Sequence, residues 1–304
     1  MTKSFTSAAT LQDALDALGS GARPVAGGTD LVVSARQGKA PLPEAIVAID
    51  RIDTLGGIVD LDGGLRLGAL ATHDEIVANG VIRERFTALA DASAIVGSHA
   101  TRAQGTIGGN VMNASPAMDT GGPLLCFGAS ASLRSASGER AVPLDEFWIG
   151  PGTTVADPSE LLVGVDVPAP APMTGSAYVR LEYRRQMEIA VVGATAVVRL
   201  DAGSVADARV AITALAPTIH RVAEAEAALI GSDDGDAAIV AAARAAAAGS
   251  TPITDVRASA EYRSRMAEVI ARRAIVIALA RARGEHVPIP ASAATYASVG
   301  GAST

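Results

Sequence analysis

The chain has a single cysteine, Cys126, among 304 residues. That excludes an intrachain disulfide. It also excludes an iron–sulfur cluster held by thiolates of this chain, which would need several. Histidine is scarce as well: His73, His99, His220 and His286 lie far apart and fall in no metal-spacing motif. Aromatic residues make up 3%, too few for base-stacking platforms. Positive charge is in deficit, with 25 Lys and Arg against 32 Asp and Glu and a formal net charge of −7. Phosphate-backbone binding needs clustered cations, so nucleic acid is not an expected partner. Long apolar runs are missing. Residues 274–280 are bounded by Arg272, Arg273 and Arg281, far short of the roughly 20 residues of a membrane span. Residues Met1 to Ser7 contain no apolar h-region, so no signal peptide is expected. A cytoplasmic location is the resulting expectation. At 49% hydrophobic and 19% charged, the composition is that of a core-forming globular chain, and its length suggests about two domains of roughly 150 residues.

Local signals outline the elements. Thr10 with Asp13 and Thr72 with Glu75 read as helix-opening capping boxes. Strands are expected near 24–26 and 45–49, with a helix over 31–37 between them. Asp62-Gly63-Gly64 between two short apolar runs reads as a tight hairpin turn. One helix is expected over 82–95, followed by a long loop over 97–122 rich in Gly, Ser, Thr and Asn; long ordered loops are usually functional. Strands follow at 131–134, 141–142 and 161–167. The Pro/Ala segment 168–172 marks a domain boundary. Beyond it, 177–183, 190–200 and 205–215 read as a three-stranded meander. Helices at 223–230, 237–248 and 261–283 close the chain, the last with Tyr262, Met266, Val269, Ile270, Ala274 and Ile277 as its apolar side.

Two glycine-rich turns could carry chemistry: Ala26-Gly27-Gly28-Thr29-Asp30 and Gly105-Thr106-Ile107-Gly108-Gly109-Asn110. Paired glycines permit positive φ and close approach of backbone N–H groups to an anion, and each turn has a hydroxyl beside it. Taken singly, each is also compatible with a plain structural turn. Neither is a Gly-x-Gly-x-x-Gly fingerprint or a P-loop. Other clusters are bland. Ser98-His99 lacks a nucleophile elbow, Asp233-Asp234-Gly235-Asp236 lacks the remaining ligands of a calcium loop, Trp148 reads as a core or interface anchor, and Cys126 reads as a core residue.

The two turns, followed by Ala114-Ser-Pro-Ala-Met-Asp119, occur in an order and spacing that resembles the FAD-binding medium subunit of molybdenum hydroxylases, the xanthine dehydrogenase and aerobic carbon monoxide dehydrogenase family. The similarity spans about residues 3–285. It implies an α+β chain: a two-part FAD-binding domain of the vanillyl-alcohol-oxidase (PCMH) type over 1–172, with subdomains about 1–55 and 56–172. A small αβ domain over 173–287, with a three-stranded antiparallel sheet and helices, and a tail over 288–304 would follow. The resemblance places the FAD diphosphate against Ala26, Gly27, Gly28, Thr29 and Asp30 and against Thr106, Gly108, Gly109 and Asn110. It places the adenosine half, through its ribose hydroxyls, at Asp119, with Leu162 near the adenine. Arg180 stands where the family often has a lysine, and Ile189 where it places a residue against the isoalloxazine ring. Tyr178 to Ala190, including Arg184 and Arg185, matches the family's strand and turn. The implied function is electron transfer from 2Fe–2S clusters of a small partner, fed by a molybdenum cofactor in a large partner, through FAD to an external acceptor. A dimer of heterotrimers is the implied assembly. The alternatives are a stand-alone flavin-dependent oxidoreductase of the same fold and a non-catalytic scaffold.

Overall fold

Both predicted capping boxes open helices. Thr10 Oγ1 accepts from the Asp13 amide at 3.1 Å while the Asp13 carboxylate accepts from the Thr10 amide at 2.9 Å, starting the helix Leu11–Gly19. Thr72 and Glu75 make the same reciprocal pair ahead of His73–Ala78. The computed structural model describes residues 4–184 and 186–291; Arg185 and positions 292–304 of the expected tail lie outside them.

Three parallel strands, Ser4–Ser7, Ala45–Ala48 and Arg23–Val25, form the first sheet, with Ala45–Ala48 in the middle. Ala14, Leu15 and Leu18 of the first helix pack into its core together with Val47 and Ile49. Leu161 and Val163 join the same cluster from the next sheet.

That next sheet is antiparallel, in the order Ile58–Leu61, Gly64–Gly68, Leu161–Val167, Ser130–Ser135, Gly138–Pro143. Its first hairpin turns at Asp62 (φ 49°) and Gly63 (φ 86°), the left-handed pair that such a tight turn requires. Helices cover one face through Leu65, Leu67, Ala131, Leu133 and Val165. Two expectations are corrected here. The helix predicted over 82–95 is two helices, Gly80–Arg85 and Thr87–Ala94. The chain leaves helical geometry at Phe86 (φ −123°, ψ 44°), whose buried ring packs edge-on against Phe127 at 5.0 Å. The long loop expected over 97–122 holds three short helices, His99–Arg102, Ile107–Asn113 and Gly121–Cys126. Cys126 and Trp148 are core residues as expected, and the Trp148 indole donates to the Val111 carbonyl at 3.0 Å.

The C-terminal part builds on an antiparallel sheet in the order Thr174–Leu181, Val192–Asp201, Ser204–Thr213, His220–Arg221. This sheet has four strands rather than the expected three. The third strand ends at Thr213; Ala214 (φ 63°) turns the chain, and the two-residue strand His220–Arg221 returns along Ala211 and Ile212. Helices Ala223–Leu229, Asp236–Ala248 and Ala260–Ala282 complete this unit, and the Asp233–Asp236 turn links two of them. On the long helix, Tyr262 and Val269 are exposed. Ile270, Ala274 and Ile277 are buried as expected, and the buried face also includes Ala267, Ala271 and Ala278, small side chains that let the helix approach the sheet closely. Gly175 makes that approach possible: a Cβ there would lie 2.1 Å from the Ala278 carbonyl oxygen and 2.2 Å from the Ala282 nitrogen. Among the described residues, no helix is long and apolar enough to cross a membrane.

Because the obstructing atoms are backbone, Gly175→Ala must push helix and strand apart. Urea unfolding is expected to show a loss of about 1–3 kcal/mol, the usual range for overpacking. Wild-type stability in this variant would contradict the packing.

Candidate functional site

The two glycine-rich turns meet backbone to backbone. A Cβ at Gly27 would lie 1.8 Å from the Gln104 carbonyl oxygen, and one at Gly105 would lie 3.5 Å from Thr29 Oγ1 and 3.4 Å from the His73 ring. Residue 27 must therefore be glycine for the turns to touch. Gly28 sits in the left-handed region, φ 67°, so successive amides of this turn do not continue a helix. Among the described residues, the amides of Gly27, Gly28 and Thr29 donate to no acceptor in the chain. All three residues are half-buried, and Asp30 is exposed at the head of the helix Leu31–Arg36.

The second turn is built differently. Thr106 caps the helix Ile107–Asn113. The Ile107 amide donates to the Ala71 carbonyl at 2.9 Å, Gly108 to the Ala69 carbonyl at 3.0 Å, Gly109 to Thr106 Oγ1 at 3.0 Å and Asn110 to the Thr106 carbonyl at 3.0 Å. The positive φ expected from this glycine pair is absent; both residues are helical. Gly108 is instead a packing glycine, since a Cβ there would lie 2.5 Å from the Ala69 carbonyl oxygen. Gly109 is exposed, with only Thr106 Oγ1 near its missing Cβ at 3.1 Å. Asn110 Oδ1 accepts from Thr120 Oγ1 at 2.5 Å, which leaves the side-chain N–H groups of Asn110 for another acceptor.

Asp119 and Arg180 lie together and buried. Arg180 Nη1 donates to Asp119 Oδ2 at 2.8 Å and Tyr178 Oη donates to Asp119 Oδ1 at 2.6 Å. The rest of the Arg180 guanidinium is taken up by the Glu182 carboxylate and by the carbonyls of Glu188 (3.3 Å) and Ile95 (3.1 Å). All five of its N–H donors are thus engaged inside the chain. Burial pushes the Asp119 carboxyl up to about 6, against the opposing pull of the Arg180 cation. Leu162 is a buried core residue paired with Leu133 on the central sheet. Ile189 is 53% exposed in the turn after Thr174–Leu181. That turn docks on the first part of the chain through the Met187 amide, which donates to the Gly97 carbonyl at 2.9 Å.

Tyr178 and Glu182 lay in the matched 178–190 segment without a role assigned to them, and His73 had no signal of this kind. His73 is buried beside Gly105, and burial lowers its pKa to about 4, with the Arg102 cation adding to the shift. The ring is therefore neutral at neutral pH, and its Nδ1 has no partner. Arg102 itself is held by Asp74 at 3.3 Å, the Val96 carbonyl at 3.2 Å and His99 Nδ1 at 2.8 Å. Among the described residues, no group of His, Cys, Asp and Glu could hold a metal ion.

This arrangement fits a dinucleotide. Unclaimed amides around a left-handed glycine, with a hydroxyl beside them, are donors of the kind that an anion can accept from. The exposed face at Gly109 leaves room over the second turn. Comparisons agree. Residues 1–170 match the family described as FAD binding domain in molybdopterin dehydrogenase, and residues 177–278 match the CO dehydrogenase flavoprotein C-terminal domain. The chain belongs to this family of FAD-binding subunits.

The carbon monoxide dehydrogenase medium chain of Hydrogenophaga pseudoflava is 33% identical over 267 residues, covering 88% of this chain and 92% of its own. The xanthine dehydrogenase FAD-binding subunit of Escherichia coli O157:H7 is 30% identical over 286 residues, covering 93% and 98%. Among solved structures, carbon monoxide dehydrogenase from Hydrogenophaga pseudoflava superposes with a TM-score of 0.88 at 32% identity, over 92% of this chain and 98% of that one. The expected class therefore stands: an oxidoreductase component, the FAD-binding electron-transfer subunit of a molybdenum hydroxylase.

Asp119 supplies a pH test of the family site. Its carboxyl titrates at about 6 in the folded chain against an ordinary 3.8. Between those values the native state holds more protons than the unfolded one, so this group makes stability fall as pH rises through that window. Asp119→Asn is expected to remove that contribution from the melting temperature measured between pH 3.8 and 6. A slope equal to the wild type's would contradict the burial of this carboxyl.

Proposed function

We propose that FAD lies between the first 172 residues and the C-terminal unit of residues 173–287, with its diphosphate on the turn Ala26 to Asp30. The observation that carries this reading is the run of unclaimed amides at Gly27, Gly28 and Thr29, held against Gln104 and Gly105 of the second turn. Thr106, Gly108, Gly109 and Asn110 border the same space. Gly109 provides clearance and the Asn110 side chain a donor, while Thr106 and Gly108 fix the helix. The roles thus differ: the first turn binds the anion, and the second shapes the wall behind it.

Asp119 binds the adenosine half. Its carboxylate already accepts from Tyr178 and Arg180, and lone pairs remain for ribose hydroxyls. Arg180 acts by holding Asp119 and the 182–189 turn rather than by touching the flavin. Leu162 walls the adenine side from the core, and Ile189 presents an apolar surface to the isoalloxazine ring. Bound FAD supplies the electron transfer; the chain supplies position, electrostatics and access.

The partners in this reading are a small subunit with 2Fe–2S clusters and a large molybdenum-cofactor subunit, arranged as a dimer of heterotrimers in the cytoplasm. The lone buried Cys126 is consistent with clusters carried elsewhere. A stand-alone flavin oxidoreductase is not favoured, because the relatives are medium chains and FAD subunits matched over nearly their whole length.

The test is Gly109→Val. A branched side chain on the exposed face of the second turn occupies the space over the diphosphate, and its nearest neighbour in the chain is Thr106 Oγ1, 3.1 Å from the Cβ position. Far-ultraviolet circular dichroism is expected to match wild type, while the flavin-to-protein absorbance ratio falls well below it. Full flavin occupancy in a folded variant would overturn the assignment of this wall.

A further inference from the structure

Far from the diphosphate turns, a second buried ion pair joins the two halves of the chain. Asp91, on the helix Thr87–Ala94, is fully buried. Its carboxylate accepts from Arg281 Nη1 at 2.6 Å and Nη2 at 3.0 Å, Arg281 being in the last turn of the long C-terminal helix. The same carboxylate accepts from the Tyr178 amide at 3.2 Å and the Ala291 amide at 2.9 Å. Arg281 also donates to the carbonyls of Ser176 at 2.7 Å and Pro288 at 3.1 Å. Ser176 closes the arrangement: its carbonyl accepts from Thr87 Oγ1 at 2.6 Å, and its hydroxyl accepts from the Ala88 amide at 3.0 Å. Residues 287–291 thus form a strap. Val287 and Ala291 belong to the C-terminal core while Ile289 packs against the core of the first part.

The strap meets the site at one residue. Tyr178 gives its amide to Asp91 and its hydroxyl to Asp119. Two residues along the strand, Arg180 grips the other Asp119 oxygen. Moving Asp91 and Arg281 apart therefore moves the strand that orients Asp119.

We infer that Asp91 and Arg281, closed by the 287–291 strap, are positioning residues that set Tyr178, and through it Asp119, for the flavin. The inference rests on the flavin reading above. A bidentate pair of this kind fixes one geometry, and here its carboxylate also serves two buried backbone amides.

The test uses the full chain, purified with any partner chains that accompany it. The double variant Asp91→Leu with Arg281→Met removes both charges together. It is expected to fold with a lowered melting temperature, because the Tyr178 and Ala291 amides lose their buried acceptor, and to bind FAD at least about tenfold more weakly. Because the displaced strand also carries Arg180, which holds the turn bearing Ile189, it is expected to alter the visible circular dichroism of the flavin that remains. Ala291→Pro removes one donor and leaves the ion pair; it is expected to shift the same two readouts less, and it decides the matter if the double variant does not fold. Wild-type affinity and an unchanged flavin spectrum in whichever variant folds would overturn the inference while leaving the flavin reading intact. A wild-type protein that takes up no FAD would overturn the flavin reading itself.

Discussion

The contact on which the site depends is the approach of Gly27 to the Gln104 carbonyl. No side chain fits there; a Cβ would sit 1.8 Å from the oxygen, far inside van der Waals contact. With that contact, a turn from the parallel sheet and a turn from the helical cover of the antiparallel sheet become one wall. The division of labour follows from hydrogen-bond accounting. Every amide in the first turn of the helix Ile107–Asn113 has an acceptor within the protein, whereas Gly27, Gly28 and Thr29 have none. Half-buried amides without partners are costly unless water or a ligand satisfies them. That cost is what favours the first turn as the anion-binding one in the proposed reading.

The opposite wall is held by charge. Arg180 gathers Asp119, Glu182 and two carbonyls from both halves of the chain. Such a network is expensive to desolvate and gains its value from complete satisfaction of its members. Asp119 is the strained member, since burial lifts its carboxyl despite an adjacent guanidinium. The neutral, buried His73 fills the space under Gly105 without adding a charge beside the glycine-rich turns.

What was legible in the sequence was local. Capping boxes join residues three apart, and the Asp62-Gly63 turn carries its own backbone requirement, so each was readable without the fold. The family motifs located both turns and Asp119. Their chemistry was less legible: Gly108 and Gly109 look like a flexible pair, yet one is a packing contact with Ala69 and the other an exposed helical position. Phe86 breaks a helix because its ring is claimed by Phe127, and no neighbour in sequence announces that. The His220–Arg221 strand is too short for alternation to register. Asp91 and Arg281 were missed for one reason. Each makes its defining bonds to residues distant in the chain, as Arg281 does to Asp91, and periodicity carries no information about such pairs.

The central claim concerns which backbone groups meet the diphosphate, and amide-resolved hydrogen exchange reads those groups directly. Without FAD, the amides of Gly27, Gly28 and Thr29 should exchange rapidly while those of residues 107–110 are already protected by their internal bonds. Adding FAD should slow exchange at 27–29 and leave 107–110 nearly as they were. Flavin binding with unchanged exchange at 27–29 would contradict the account, because the diphosphate would then rest on some other part of the chain.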